Sequence, residues 1–257
     1  MNGKNKKKLY IGIGVLAIFL AWCVASLAVN SEFVFPTPWT VGKEFLSLLA
    51  KADFYLAVSS TALRALSGFA VSVLLAFGLS VLAFKKPNFH TAFSPTVTVI
   101  RAVPTMSVIL LTFVWFAPVL RPIFIGFLIA FPLLYESFHS ALCGVDKKMI
   151  EMSKIFEASP ATKLKYLYIP LSRDGFLSGM KNGISLNLKV VISAEVMVNT
   201  VKSMGWHMNV AQMSTMTAEL FAWTLSALLL SFLFEGIVEL IRYLTRPKRK
   251  KYSICHE

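Results

Sequence analysis

The sequence predicts an all-helical integral membrane protein, and two properties of the chain carry that prediction. Hydrophobic residues make up 56% of its 257 residues, only 15% are charged, and the mean hydropathy is +0.66; soluble domains carry about 25% charged residues. Residues 9–31, 65–84 and 102–120 contain no Asp, Glu, Lys or Arg. Each run is close to the roughly 20 residues that cross a hydrocarbon core. Because backbone groups in that core must bond internally, the runs are expected to be helices.

Six membrane spans are expected, and the basic residues give their orientation. The spans are predicted at residues 9–30, 57–84, 92–117, 122–143, 175–199 and 220–243. With the N-terminus inside, the inner segments carry 18 Lys and Arg residues and the outer segments carry four. Cytoplasmic loops are enriched in Lys and Arg. Both termini are therefore predicted to face the cytoplasm.

The net charge of +13 is explained by this topology and gives no reason to expect nucleic acid as a partner. The basic runs at residues 4–8 and 246–251 flank hydrophobic spans, where they suit anchors attracted to anionic lipid. The three cysteines, Cys23, Cys143 and Cys255, form no Cys-x-x-Cys pair. Neither a disulfide framework nor a metal site follows from them, and no cofactor is expected. The first apolar run is longer than a usual signal core, which favours an uncleaved first span.

Two outer segments have patterns of their own. Thr37 is a plausible helix cap with Pro38 at the first helical position. Apolar residues then recur at helical spacing, which predicts a short amphipathic helix lying along the outer surface, with an irregular loop as the alternative. Residues 200–223 contain several methionines but His207 alone among the stronger copper ligands. We expect these methionines to pack at an interface rather than to bind copper.

Residues 146–170 form a polar, basic and helix-prone stretch between two apolar parts of the chain. Asp146 can cap a first helix, and Ser159, followed by Pro160, can cap a second. Pro170 is expected to end the second helix, because a proline cannot donate the helical hydrogen bond. The stretch is therefore predicted to be two short helices, joined by a bend around residues 157–159, that project on the cytoplasmic side.

This stretch resembles the cytoplasmic EAA loop of permease subunits in ABC importers. The usual form of that loop is Glu-Ala-Ala, three residues, Gly, about nine residues and then Ile-x-Leu-Pro. Here Glu151 opens the triplet EMS, Glu157 stands where Gly is usual, and Pro170 closes the sequence LYIP. Since the triplet is degraded, we expect a dedicated ATPase partner rather than a shared one. Glu157 implies either that the bend avoids the positive φ that Gly permits or that the docking contact has changed together with a specialised ATPase.

The resemblance extends over residues 33–245 in the right order. FPTPWTVGKEF resembles the segment before the second span of the nitrate/sulfonate/taurine-type permeases, and IRAVPTMSVILLTFVWF resembles their third span. SAEVM and SMGWHMNVAQ resemble their segments after the EAA loop. The resemblance implies a six-helix type I importer permease in the bacterial cell membrane. It also implies a second permease copy, most often the same chain, a pair of cytoplasmic ABC ATPases and an external solute-binding protein. The solute it implies is small and carries an anionic group, as a sulfonate, nitrate or taurine does, or else is a vitamin precursor.

Three parts are predicted along the chain. Residues 1–56 hold the first span and the external amphipathic helix. Residues 57–245 form the permease core, with the coupling loop at about 146–170, and residues 246–257 form a basic cytoplasmic tail.

The chain is not expected to hydrolyse ATP or to carry catalytic residues. It contains no Gly-x-x-x-x-Gly-Lys-[Ser/Thr] sequence and so lacks the phosphate-cradling loop of that kind. The resemblance therefore implies that a separate chain hydrolyses ATP. Glu151 is expected to be the charged docking residue, and the residues expected to couple the permease to that chain are Glu151, Glu157, Ala158, Ser159, Lys163 and Pro170.

Ionisable residues inside spans are costly and usually face a protein interior or a water path. The candidates for a translocation path are Arg101, Glu136, Lys189 and Glu195. They could instead pair with one another or snorkel, as Lys181 is expected to do, and Arg101 also matches the family's Arg-Pro segment, where packing would explain it. Glu235 and Glu239 are expected to pair with Arg242.

Two other classes of function stay open from the residues alone. An ion-coupled secondary transporter would bind protons or Na⁺ at Glu136, Glu195 or Glu235, but such proteins often have repeated halves, and no clear internal repeat is seen here. A membrane enzyme would need a paired set of catalytic residues at a membrane face, which the sequence does not offer. A co-purifying ATPase would separate the importer from both.

Overall fold

The computed structural model describes residues 3–155 and 159–245, and every regular element in these residues is helical. In chain order the elements are α1 (Gly3–Val29), α2 (Pro38–Leu49), α3 (Ala52–Lys85), α4 (Pro87–Ala102), α5 (Thr105–Trp115), α6 (Leu120–Cys143), α7 (Lys147–Ile155), α8 (Pro160–Lys163), a π turn (Leu164–Tyr168), α9 (Ile169–Val198), α10 (Met204–Met213) and α11 (Thr217–Leu244).

Four of the described helices are long and apolar enough to cross a membrane, namely α1 from Leu9 onward, α3, α6 and α11. The bent pair α4 and α5 makes a fifth if it is a single span. Helix α9 has 30 residues, but it carries Arg173, Asp174, Lys181, Lys189 and Glu195 and is not among these apolar helices. The helical character of the chain is confirmed, and the count of six spans stays a prediction.

The expectation of one continuous helix over residues 92–117 is wrong. Helix α4 ends at Ala102, α5 begins at Thr105, and the two are bent by 93° at the break. Val103 between them is extended, with φ −66° and ψ 127°. A residue before a proline is disfavoured in the helical region, and Pro104 itself has no N–H to donate. The Val-Pro sequence therefore breaks the helix.

The expectation that Pro170 ends the second helix of the polar stretch is also wrong. The backbone passes from α8 through the five-residue π turn directly into α9, so Pro170 is the second residue of a long helix. A proline ring ordinarily collides with the carbonyl four residues earlier in an α-helix. The wider π turn that precedes Pro170 gives that carbonyl room. The local change in helix type thus lets the chain continue.

The chain divides into two compact units. The first comprises Met1–Arg64, Ile109–Pro122 and Val191–Leu230, and the second comprises Ala65–Val108, Ile123–Val190 and Ser231–Glu257.

Aromatic rings fill the core of the first unit. The Phe54 ring lies 5.3 Å from that of the buried Trp223, and His207 stacks on the same indole at 4.6 Å. Phe221 lies 5.9 Å from Trp22 on α1. The indole N–H of Trp22 donates to the carbonyl of Pro36 at 3.2 Å. These contacts attach the ends of α1, α3 and α11 to one apolar cluster.

Helices of the second unit approach closely at glycines. Gly175, Gly179 and Gly183 recur every four residues on α9, and a Cβ atom added to each would lie 2.6 to 2.9 Å from a side-chain atom of α6. A Cβ on Gly68 of α3 would lie 2.6 Å from the carbonyl oxygen of Ile123. Small residues of this kind let helix backbones pack closely within membranes.

Replacement of Gly179 by leucine is expected to destabilise the second unit, because its Cβ would already lie 2.7 Å from the Cβ of Ser137. Overpacking of this kind costs about 1–3 kcal/mol. Thermal unfolding of the detergent-purified chain measures the effect. Gly78→Leu is the matched control, since nothing lies within 4 Å of a Cβ added there. Equal unfolding temperatures for the two variants would contradict this packing.

Candidate functional site

The two helices of the polar stretch begin directly after Asp146 and Ser159, as predicted from these capping residues. The backbone N–H of Lys148 donates to the Asp146 carboxylate at 3.0 Å, and α7 begins directly after Asp146. The hydroxyl of Ser159 accepts a hydrogen bond from the N–H of Thr162 at 3.2 Å, with Pro160 as the first residue of α8. Side-chain oxygens thus satisfy N–H groups that a helix start leaves without partners. We call residues 146–170 the coupling segment, after the role that the resemblance implies.

The coupling segment exposes both charge and apolar surface. Glu151 and Ser159 are exposed, Lys163 is half-buried, and Pro170 is exposed at the start of α9. Glu157 and Ala158 lie outside the described residues. Apolar side chains are also exposed along the segment, at Met149, Met152 and Tyr166. Methionine and aromatic side chains are enriched at protein–protein interfaces relative to the rest of the surface.

The coupling segment packs on the C-terminal end of α3. The Tyr168 ring meets the Phe84 ring edge to face, with centroids 4.7 Å apart. Beside them lies a cavity of about 620 Å³, lined by Phe84, Lys85, Ser159, Pro160, Ala161, Lys163, Leu164 and Tyr168. The segment is therefore in contact with α3 and continuous with α9, so it is not an isolated loop.

Two of the four candidate path residues, Arg101 on α4 and Glu136 on α6, form an ion pair between the Arg101 guanidinium and the Glu136 carboxylate. Their side chains are 55% and 44% exposed. Pairing of the candidates with one another was the alternative left open by the sequence, and here it coexists with exposure of both groups.

A small polar cavity of about 240 Å³ adjoins Glu136. Two histidines line it and stack, with the rings of His90 and His139 4.0 Å apart. The hydroxyl of Tyr135 lies 3.2 Å from Nδ1 of His90. The cavity is lined by His90, Ser94, Val97, Tyr135, Glu136, His139 and Ser140.

The third candidate, Glu195, is completely buried in the first unit. Its Oε1 accepts a hydrogen bond from Arg64 Nη1 at 2.8 Å, and its Oε2 accepts one from the Thr61 hydroxyl at 2.8 Å. The backbone N–H of Gly205 points to the same Oε2 at 3.4 Å, and the N–H of Met204 donates to the Thr61 hydroxyl at 3.0 Å. The carboxylate thus joins α3, α9 and the N-terminus of α10.

Gly205 is required at that junction. A Cβ at this position would lie 2.4 Å from the Cβ of Glu195 and 2.6 Å from the backbone nitrogen of Val196. Such distances are far inside van der Waals contact, so only glycine lets α10 reach the carboxylate.

The sequence analysis identified Glu195 but not its partner Arg64, which is 131 residues away in the chain. No local pattern connects two such distant residues. Helix α10 was also missed, although it had a readable signal. Ser203 caps it by accepting a hydrogen bond from the N–H of Trp206 at 3.0 Å.

The structure also places the remaining charged residues that the sequence analysis assigned to the spans. Lys189, the fourth candidate, is exposed on α9. Glu239 lies 3.8 Å from Arg242, as predicted. The expected pairing of Glu235 with Arg242 is wrong, because the Glu235 carboxylate lies 3.9 Å from the ammonium of Lys181. Lys181 lies on α9 and Glu235 on α11, and no spacing in the linear sequence indicates that these two side chains meet.

Two of the four methionines in residues 200–223 take part in packing. Met204 and Met208 are buried on α10, whereas Met213 and Met216 are exposed. Burial lowers the pKa of His207, outweighing the nearby Glu219 and Asp53 carboxylates, so the ring that stacks on Trp223 is neutral at pH 7. Within residues 3–155 and 159–245, no group of three or more His, Cys, Asp or Glu side chains is placed to hold a metal ion.

Removal of Arg64 is expected to destabilise the first unit strongly, because it leaves the Glu195 carboxylate buried without its counter-charge. Breaking a buried ion pair costs about 3–5 kcal/mol. The unfolding temperature of Arg64→Ala in detergent should therefore fall well below that of the parent. The control is Arg242→Ala, which removes an arginine from more exposed ion pairs, where the loss is about 0–1 kcal/mol. Equal losses in the two variants would show that the buried pair does not support the fold.

Comparison with known protein families gives a match over most of the chain. Residues 68–247 match the protein family described as "Binding-protein-dependent transport system inner membrane component".

Two curated relatives cover nearly the whole chain. The putative aliphatic sulfonates transport permease protein SsuC of Bacillus subtilis (strain 168) is 23% identical over 255 residues, covering 98% of this chain and 92% of that protein. The taurine transport system permease protein TauC of Escherichia coli (strain K12) is 26% identical over 254 residues, covering 93% and 90%.

Solved structures share the fold at low identity. A chain of the structure titled "Crystal structure of an amino acid ABC transporter with histidines" superimposes with a TM-score of 0.64 at 15% identity, covering 78% of this chain and 98% of that chain. A chain of the MetNI methionine ABC transporter in an inward-facing conformation gives a TM-score of 0.58 at 16% identity, covering 78% and 98%.

Proposed function

The chain belongs to the family of inner-membrane components of binding-protein-dependent transport systems, and from this premise we propose that its coupling segment is the contact through which a separate ATPase drives transport. The chain has the fold of the type I ABC importer permeases, and it is a membrane-spanning permease subunit of an ATP-driven importer. An ion-coupled secondary transporter is not favoured.

The geometry of the coupling segment is the observation that carries this proposal. Its two capped helices expose Glu151 together with apolar side chains, which is the surface that a docking partner needs. Tyr168 packs on Phe84 of α3, and the π turn leads without a gap into α9. A rigid displacement of α8 by a partner would therefore act directly on two long helices.

The partners that we propose follow from the family and from this surface. Two copies of a cytoplasmic ABC ATPase would dock on two copies of this chain, one on each coupling segment. An external solute-binding protein would deliver the solute. The chain itself contributes no Gly-x-x-x-x-Gly-Lys-[Ser/Thr] loop, so ATP hydrolysis belongs to the docked subunits.

The orientation that we propose has both termini and the coupling segment in the cytoplasm of a bacterial cell, with α2 and α10 on the outer side. The distribution of Lys and Arg supports it. With six spans, the coupling segment follows the fourth span and so lies on the same side as the termini.

The solute that we propose is small and carries a sulfonate or a similar anionic group. The names of two relatives support this class, one for aliphatic sulfonates and one for taurine. Arg101, Glu136 and Lys189 are exposed on the long helices and are the residues that we assign to the path. The enclosed position of Glu195 among Arg64, Thr61 and Gly205 favours a structural role for that carboxylate instead.

Charge reversal at Glu151 tests the docking proposal. The tagged chain is purified gently from its native cell, and co-purifying proteins are identified and quantified by mass spectrometry. An ATPase subunit is expected with the parent and to be at least tenfold depleted with Glu151→Lys, because placing like charges across an interface costs several kcal/mol and each 1.4 kcal/mol is tenfold in affinity.

The matched control is Glu44→Lys, the same reversal on the outer helix α2, which should retain the ATPase. If Glu151→Lys also retains it, Glu151 is not the docking residue. If no ATPase accompanies any of the three samples, the proposed coupling is contradicted.

A further inference from the structure

We infer that the cavity between the end of α3 and the coupling segment is a binding site for one anionic phospholipid of the cytoplasmic leaflet. The lipid phosphate would bind Lys85 and Lys163, and the start of an acyl chain would lie against the apolar wall beside them. The inference goes beyond the proposed import function. Only the choice of leaflet rests on the proposed orientation, because the cavity belongs to this chain alone.

Both sides of the cavity are formed by this chain. Phe84 and Lys85 of α3 line one side, and residues 159–168 of the coupling segment contribute the other. The rings of Phe84 and Tyr168 meet edge to face with centroids 4.7 Å apart and so connect the two sides. All of these residues belong to the second unit. No partner chain is therefore needed to form the cavity.

The charges that line the cavity are positive. Lys85 and Lys163 are the charged residues among its described lining, and the Ser159 hydroxyl lies in the same lining. No ion pair within residues 3–155 and 159–245 involves either lysine. Ammonium groups form strong, charge-assisted hydrogen bonds to phosphate oxygens. The lining therefore favours an anionic ligand.

The rest of the lining is apolar, which favours a lipid over a soluble phosphate compound. It consists of Phe84, Pro160, Ala161, Leu164 and the ring of Tyr168. An acyl chain gains free energy by leaving water for such a wall, whereas a free phosphate ion does not. The volume of about 620 Å³ is roughly that of twenty water molecules. It is enough for a phosphoglycerol headgroup and the first carbons of a chain.

The cavity lies at the level where the hydrocarbon core ends. Residues 65–84 of α3 carry no charge, and Lys85 and Lys86 follow directly. Tyrosine, like Tyr168 in the lining, is enriched at membrane–water interfaces. Basic pockets between membrane helices on the cytoplasmic side bind anionic headgroups. An anionic phospholipid is thus the phosphate compound that this position offers to the two lysines.

A lipid bound in this way would join α3 to the coupling segment. Lys85 is the last residue of α3, and Lys163 is the last residue of α8. One phosphate group bound by both lysines would add a charged connection to the ring contact between Phe84 and Tyr168. The position of the coupling segment would then depend on the lipid around the protein.

Native mass spectrometry of the detergent-purified full chain tests the site with three probes. Dioleoylphosphatidylglycerol has an anionic headgroup, dioleoylphosphatidylcholine has the same chains and no net charge, and glycerol 3-phosphate has the phosphate without the chains. Each lysine beside an anionic headgroup contributes about fivefold in affinity, and two contribute roughly 25-fold. The first phosphatidylglycerol molecule should therefore bind at least tenfold more tightly than either other probe.

Neighbouring lysines provide a matched control. Lys85→Gln with Lys163→Gln removes the two lining charges and should lower phosphatidylglycerol binding to the level of phosphatidylcholine. Lys86→Gln with Lys165→Gln removes two adjacent charges that do not line the cavity and should keep the preference of the parent. Ala161→Trp fills the cavity while both lysines remain, and it should also abolish the tight binding.

The inference is overturned if the parent binds both lipids alike, if the two double variants lose binding equally, or if Ala161→Trp binds as the parent does. Equal binding of glycerol 3-phosphate and phosphatidylglycerol would overturn it too, because the occupant would then be a soluble phosphate compound.

The titration is repeated with the co-purified ATPase bound, and the lipid should be retained. Displacement of the lipid by the ATPase would overturn the inference, since the cavity would then belong to the ATPase contact. The titrations of the chain alone do not depend on that partner. A chain that brings no ATPase therefore contradicts the proposed function and leaves the lipid measurement valid.

Discussion

A charge inside the membrane part of a protein has to be paired or face water, and this constraint organises both units of the chain. In the first unit, Glu195 is enclosed with Arg64, Thr61 and the backbone N–H of Gly205. In the second, Arg101 and Glu136 pair while remaining exposed. The same requirement therefore gives two different results, a closed junction that holds helices together and an ion pair whose two side chains remain about half exposed.

The closed junction explains features that would otherwise look unrelated. Helix α10 begins where its backbone N–H groups reach the Glu195 carboxylate and the Thr61 hydroxyl. A negative charge at that place suits a helix N-terminus, where N–H groups have no partners within the helix. Gly205 follows from the same approach, because any side chain there would overlap the backbone of α9. The charge, the glycine and the helix start form one arrangement.

The sequence predicted best those features that neighbouring residues determine. The helix starts after Thr37, Asp146 and Ser159 were each predicted from a capping side chain, because a cap acts over two or three residues. The break at Val103 obeys an equally local rule, yet the apolar run on both sides masked it. The continuation of the helix through Pro170 could not be predicted from the sequence, since it depends on the π turn before it.

Residue pairs distant in the chain were beyond such prediction. No residue pattern near Glu195 identifies Arg64 as its partner, and no pattern near Lys181 identifies Glu235 as its partner. These pairs depend on which helix faces meet in the folded chain, and no local residue pattern specifies that. The resemblance to ABC importer permeases, carried by ordered motifs, was confirmed by the family match over residues 68–247.

ATP-driven uptake by reconstituted protein tests the central claim most directly. The chain is placed in liposomes with its co-purifying ATPase and its external binding protein, with ATP at the ATPase side and no ion gradient, and the uptake of labelled taurine is followed. The account predicts uptake that needs ATP and all three proteins, and no uptake by the chain alone. Accumulation by the chain alone, driven by a proton or Na⁺ gradient and unaffected by ATP, would contradict it.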